Sequence, residues 1–291
     1  MDDIRAPEHF VGRQGYDAGF LAEISVPLPR VSMDLIRPSD ATDARPFELR
    51  YQHFSILYSA ARKSPVIAAL NIDGDQTIQI TRRNTRWRKD GRIAADVQLG
   101  RADFADPEID RGHMIRRAAT NWGPDRPTAA RANDDTYHYT VASPQHEDLN
   151  QNTETWLGLE NYIMENTRTF GFRANVFTGP IFSEGDPPLG DSGARIPLNY
   201  FKVVSMLAAD GASLHATAYV MGQSEFVLQM LRADQMSDFT FGAFGTFQVR
   251  IADLERMTGY DFGLLRDGDP LGDPAAVLSL SPLQTVSQII L

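Results

Sequence analysis

The sequence predicts one α+β domain with a central, largely antiparallel sheet flanked by helices, preceded by an extended arm. Three observations carry this. Apolar runs of strand length, bounded by turn residues, recur from Tyr51 onward. A few helical patterns interrupt them without the regular strand–helix alternation of a parallel sheet. No internal repeat or low-complexity segment competes with this reading, and 291 residues, 42% of them hydrophobic, can fill a sizeable core.

Residues 1–48 scatter Pro, Asp and Arg around one short apolar patch, Phe20-Leu21 to Val26, and read as an arm lying on the domain or on a neighbouring subunit. Residues 49–291 read as the single domain. Phe54–Tyr58 and Val66–Ile72 are expected as buried strands, Asp73-Gly74-Asp75 as a turn, and Gln76–Thr81, which alternates with period two, as a half-buried strand. A loop-rich stretch from Arg82 to Pro107 follows, then a strand at His138–Ala142. A helix is expected from about Asn150 to Thr167, with Trp156, Leu159, Tyr162 and Ile163 at helical spacing. Further strands are expected at Asn175–Thr178, Phe201–Leu207, Leu214–Met221 and Thr246–Ile251, with a helix at Ser224–Ala233. The last helix, Ile251–Met257, should stop at Gly259.

Composition removes several function classes. Without cysteine there are no disulfides, thiolate metal sites or Cys nucleophiles, so a metal must be held by oxygen or imidazole, which favours Mg²⁺, Mn²⁺ or Ca²⁺ over Zn²⁺. No run approaches the roughly 20 apolar residues that a bilayer crossing requires, so no membrane partner is expected. The polar start Met1-Asp2-Asp3-Ile4-Arg5 is unlike a secretory signal, and as written the chain is expected in the cytoplasm. A signal removed before the first residue would instead allow secretion or the periplasm.

A net charge of −10 is unusual for a stable nucleic-acid binder, whose affinity comes largely from releasing counterions at phosphates. An enzyme that releases its product needs only a local basic groove. Arg82, Arg83, Arg86, Arg88, Lys89 and Arg92 fall within eleven residues, and Arg111, Arg116, Arg117, Arg126 and Arg131 follow. Most such residues on any protein are simply a solvated face.

Asp110-Arg111-Gly112-His113 gathers an acid, a cation, a flexible backbone point and an imidazole. The imidazole can take a proton from water near neutral pH, and the carboxylate can orient the ring or a metal's water. Arginine can neutralise charge building on a phosphorane-like transition state. Glycine allows a close backbone approach or a tight turn. Read alone, the string also fits a turn with a solvated ion pair. The second block is Ser143-Pro144-Gln145-His146, Leu149-Asn150-Gln151 and Trp156-Leu157-Gly158-Leu159-Glu160. Asn150 offers a neutral oxygen suited to a Mg²⁺ ion that keeps most of its waters, and Glu160 could hold one of those waters.

Together with Thr120-Asn121-Trp122, Asn71-Ile72-Asp73-Gly74, Gly179-Pro180-Ile181-Phe182, Ile196-Pro197…Phe201-Lys202-Val203-Val204 and Asp253-Leu254-Glu255…Thr258-Gly259-Tyr260-Asp261-Phe262, these blocks resemble the non-specific DNA/RNA endonuclease family that includes endonuclease G. The resemblance runs from about Tyr51 to Leu265. It implies a ββα-metal finger, in which a strand presents the histidine and a helix the metal-binding asparagine. His113 would be the general base, Asn150 the direct ligand of Mg²⁺ (Mn²⁺ substituting), and Glu160 a ligand acting through water. Arg111 would sit near the scissile phosphate and Asp110 would support the local geometry. A second phosphate-binding arginine is best matched by Arg83, four residues before Trp87 and seven before Asp90, with Arg82 and Arg86 close by.

One departure concerns the asparagine. Family members commonly place it four residues before the tryptophan, whereas Asn150 lies six before Trp156 and Asn152 keeps the spacing of four. On a helix the two lie about 80° to either side of Glu160. Asn150 is preferred because it keeps the Leu-Asn-Gln context. The implied reaction is water-driven hydrolysis of DNA and RNA leaving 5′-phosphates, indifferent to the sugar because the RNA 2′-hydroxyl is not needed. A homodimer is also implied. The rival readings are a catalytically inactive nucleic-acid-binding or interaction protein on the same fold, and a sequence-specific endonuclease. Preference between DNA and RNA, regulation and pathway are not legible.

Overall fold

The strands, in chain order, are β1 (Asp3–Arg5), β2 (Glu48–Arg50), β3 (Phe54–Ser59), β4 (Ser64–Asp73), β5 (Arg88–Asp90), β6 (Ile109–His113), β7 (Ala142–His146), β8 (Arg173–Ile181), β9 (Asn199–Leu207), β10 (Leu214–Gly222), β11 (Thr246–Val249) and β12 (Ser281–Pro282). The helices with described bounds are α1 (Arg126–Asp135), α2 (Glu147–Gln151) and α3 (Ile251–Thr258). This computed structural model describes residues 2–22, 24–81, 86–151, 160, 165, 167, 171–208, 210–223, 246–272 and 281–282. The expected helix at Ser224–Ala233 and most of the one expected from Asn150 lie outside these residues; of the latter, Glu160, Glu165 and Thr167 are helical.

Eight strands form one sheet in the order β12-β11-β10-β9-β8-β4-β3-β2, with every pairing antiparallel. β4, buried at all ten positions, sits inside the sheet with both faces covered, which is why its sequence is nearly continuously apolar. Alternation sends Ala68, Leu70 and Ile72 of β4, Val176 of β8, and Tyr200 and Val204 of β9 to one core, with Met114, Ile115, Val141 and Leu149 packed on them. The intervening residues Ile67, Ala69, Phe177, Phe201 and Val203 face a second core, closed by Ile251 and Leu254 of α3 and by Tyr260 and Phe262.

The first 48 residues lie against their own chain. β1 pairs in parallel with β5, Phe10 joins the first core, and Tyr16, Leu21 and Val26 join the second. Arg13 fastens this segment through a two-toothed pair with buried Asp135, at 2.7 and 3.1 Å. Burial would raise the Asp135 carboxyl, but bonds from His9 and Arg13 pull it down to about 2. α1 starts where Asp125 accepts the Thr128 amide, and α3 stops at Gly259, whose φ of +70° suits glycine.

Two expected strands are corrected. Gln76–Thr81 is not a strand: after the turn at Gly74 it leaves the sheet, and among the described residues its alternation finds only an isolated bridge between Thr77 and Trp122. Gln76 is held instead by its bonds to Asp73. The strand expected at His138–Ala142 begins only at Ala142, because Tyr139–Val141 forms a 3-10 turn. Among the described residues no helix is long and apolar enough to cross a membrane.

Candidate active site

β6 and β7 pair as a two-stranded antiparallel ribbon and α2 follows β7 directly, giving a strand–strand–helix unit. Asp110 stands opposite Gln145, Arg111 opposite Pro144, Gly112 opposite Ser143 and His113 opposite Ala142. Opposed residues share a face, so Arg111 and His113 occupy one side of the ribbon and Asp110 and Gly112 the other. The main sheet anchors the ribbon through polar groups. Tyr200 Oη donates to the Pro144 carbonyl, and Gln223 accepts from the His146 amide (2.8 Å) while donating to the Pro197 carbonyl (2.6 Å).

On the Asp110 face, Asn150 Nδ2 donates to Asp110 Oδ2 at 2.8 Å. That bond commits the nitrogen end of the amide and leaves its oxygen as the end offered to a ligand. A neutral oxygen beside a carboxylate is a donor set that suits Mg²⁺ or Mn²⁺. Among the described residues no three His, Asp or Glu side chains cluster as metal ligands. Asn152 lies outside the described residues.

On the other face, His113 packs against the ring of Trp87 at 4.7 Å and meets Tyr137 edge-on at 5.5 Å. The Arg111 guanidinium lies 6.0 Å from the Trp87 ring centroid and 5.8 Å from that of Phe104. One tryptophan thus supports both residues. Arg86, just before it, is exposed, and Arg83 lies outside the described residues.

Glu160 is buried. Its Oε1 is 2.7 Å from Lys202 Nζ, and its Oε2 is 3.6 Å from Arg116 Nη1. Burial lowers the Lys202 ammonium below the ordinary lysine range, and the charge of Glu160 opposes that shift.

Gly112 has a packing reason of its own. It lies within the strand rather than at a turn, and a Cβ built on it would run into Oε1, Cδ and Cγ of Gln145. Gln145 is fully buried, and its amide has no hydrogen-bond partner among the described residues. No role for Gln145, Trp87 or Lys202 was read from the sequence. Only Lys202 had a legible signal, as a cation inside the apolar run Tyr200-Phe201-Lys202-Val203-Val204.

A profile of the family described as DNA/RNA non-specific endonuclease matches residues 32–265. The chain belongs to that family. The uncharacterized protein y4fB of Sinorhizobium fredii is 35% identical over 233 residues, which is 76% of this chain; the chain spans 34% of that curated relative's length. Among solved structures, that of the EndoG/EndoGI complex, described as showing the mechanism of EndoG inhibition, matches with a TM-score of 0.57 at 19% identity. The match covers 75% of this chain and 86% of that one. At that identity the likeness is one of fold, and it agrees with the ββα-metal nuclease fold that the family resemblance implied.

Proposed function

We propose that this family member is a Mg²⁺-dependent, sugar-non-specific endonuclease that hydrolyses phosphodiester bonds of DNA and RNA to leave 5′-phosphate ends, with His113 as general base. The observation that carries the reading is the ribbon itself. Its strand β6 carries Asp110, Arg111 and His113 within four consecutive residues, and α2, which follows the partner strand, brings Asn150 onto Asp110.

Asn150 would hold the cation through its amide oxygen, with Asp110 fixing the amide. Glu160 would act through water, which fits a carboxylate already paired with Lys202 and Arg116. A bound Mg²⁺, or Mn²⁺ in its place, would supply positive charge that stabilises the reacting phosphate. His113, its ring held by Trp87 and Tyr137, takes the proton from the attacking water. Arg111 bears part of the charge that develops on the phosphoryl oxygens, and Arg83 and exposed Arg86 contact the flanking phosphates. Since water is the nucleophile, a 2′-hydroxyl is not required. The reading also takes residues 49–291 as one catalytic domain with residues 1–48 as its arm, acting as a homodimer.

Plasmid DNA and a structured RNA incubated with Mg²⁺, and in parallel with EDTA, test it. Both should be degraded only with the metal, and the DNA fragments should be ligatable without kinase treatment. Cleavage that persists in EDTA, or fragments that need a kinase, would reject the reading.

A further inference from the structure

Lys202 stands where the alternation of β9 would place an apolar side chain. Its neighbours on the same face, Tyr200 and Val204, belong to the first core, and Lys202 is only 3% exposed. A buried ammonium is costly unless a partner holds it, and its retention asks for a reason other than stability. The partner is Glu160, 2.7 Å away. β9 lies inside the eight-stranded sheet, paired along its length with β8 and β10, so the ammonium is fixed to a rigid frame. On the far side of the carboxylate, Arg116 approaches to 3.6 Å from a position three residues beyond His113. Glu160 is therefore gripped between the main sheet and the continuation of the strand that carries the base. Leu70, Ile72, Val176 and Thr178 line the same pocket with apolar and hydroxyl groups.

We propose that Lys202 is a positioning residue for the metal centre, holding and neutralising the Glu160 carboxylate so that Glu160 engages the cation only through water. The inference rests on the metal-dependent reading above. A carboxylate released from its lysine would compete to coordinate a hard cation directly, because such ions prefer anionic oxygens. The cation would then bind more tightly and in a less productive position. A purely structural lysine predicts something else: its loss would weaken metal binding and catalysis together.

The test is Lys202→Met in the full chain, with Mn²⁺ binding read by electron paramagnetic resonance without nucleic acid, and plasmid cleavage measured at saturating Mn²⁺. We expect Mn²⁺ to bind about tenfold more tightly, the order expected from removing one unit charge several ångströms away. Cleavage at saturating metal should fall by about a hundredfold, as when a positioning partner is lost. Adding Glu160→Gln should abolish the gain in affinity. If Lys202→Met does not fold, Lys202→Gln, which keeps a hydrogen bond but no charge, should tighten Mn²⁺ binding in the same direction. Unchanged or weaker Mn²⁺ binding in the folded variant overturns the role of Lys202 alone, provided that the wild-type protein binds Mn²⁺ and cleaves. Wild-type protein that neither binds Mn²⁺ nor cleaves overturns the underlying reading as well.

Discussion

Asn150 and Asp110 meet across the joint between α2 and β6, the amide donating to the carboxylate at 2.8 Å. The acid of the Asp-Arg-Gly-His string therefore bonds to the asparagine on the helix, three residues before the histidine. Asp110→Ala should leave the Asn150 amide unoriented. By comparison with other residues that orient metal ligands, cleavage at low Mg²⁺ should fall by about 10- to 100-fold and recover partly as Mg²⁺ is raised. Asp110→Asn, whose side chain still has an accepting oxygen, should lose less. A Mg²⁺ titration of plasmid cleavage decides this: equal loss at all Mg²⁺ concentrations would separate Asp110 from the metal.

His113 is the group proposed to move the proton, and its ring is held by packing on Trp87 and Tyr137. His113→Ala should cost about 10²- to 10⁴-fold in cleavage rate, the usual contribution of a general base. The thermal midpoint and the affinity for an unlabelled duplex, read by competition in fluorescence anisotropy, should stay close to wild type. Turnover near the wild-type rate would remove His113 from the mechanism.

Much of this arrangement was legible in the chain. β4 announced itself because a strand covered on both faces must be apolar throughout, and α3 because Gly259 marks its end. The ribbon was harder. Its strand β7 is Ala-Ser-Pro-Gln-His, polar and interrupted by proline, and it is stabilised by distant groups such as Tyr200 and Gln223 that no local pattern reports. Gln76–Thr81 misled in the opposite sense, since it alternates correctly but has, among the described residues, no neighbouring strand to pair with. The residue types of the site were visible, whereas their pairing was not: Asp110 with Asn150, and Glu160 with Lys202, join positions 40 and 42 residues apart.

Gly112→Ala tests why the motif contains glycine. The added methyl would occupy the space of the Gln145 side chain, which is fully buried and cannot simply swing into solvent. Overpacking of this kind costs about 1–3 kcal/mol. Pairing Gly112→Ala with Gln145→Ala should recover most of that loss in urea unfolding. If the double variant is no more stable than Gly112→Ala alone, the side chain of Gln145 is not what excludes a methyl group.

Arg13 ties the first segment of the chain to the domain. Arg13→Ala leaves Asp135 buried with its main cationic partner removed, and breaking such a pair costs about 3–5 kcal/mol. His9, 3.7 Å from the same carboxylate, and the Gln52 amide at 3.0 Å offset part of that. Limited proteolysis should then cut within residues 1–48 of the variant well before wild type. Resistance equal to wild type would show that Phe10, Tyr16 and Leu21 hold the segment without the ion pair.

Acid should weaken the fold through buried histidines before it reaches the carboxylates. Burial pushes His53 from the ordinary 6.5 down to about 4, partly offset by its hydrogen bond to the Thr120 carbonyl, and burial lowers His138 as well. Above pH 6.5 these rings are neutral in both folded and unfolded chains, so stability is at its plateau. Between 6.5 and about 4 the unfolded chain takes up protons that the folded protein refuses, and stability falls with pH. For His53 alone the loss by pH 4 is about 3 kcal/mol at most, at about 1.4 kcal/mol per pKa unit. Asp135, held at about 2, contributes no loss until the pH falls below the ordinary carboxylate value of 3.8. His53→Asn removes the titrating ring, and asparagine tolerates the φ of +72° at this position. Urea midpoints measured at pH 7, 5.5 and 4.5 should therefore decline less steeply for the variant than for wild type. Parallel decline would mean that His53 is not the group that titrates.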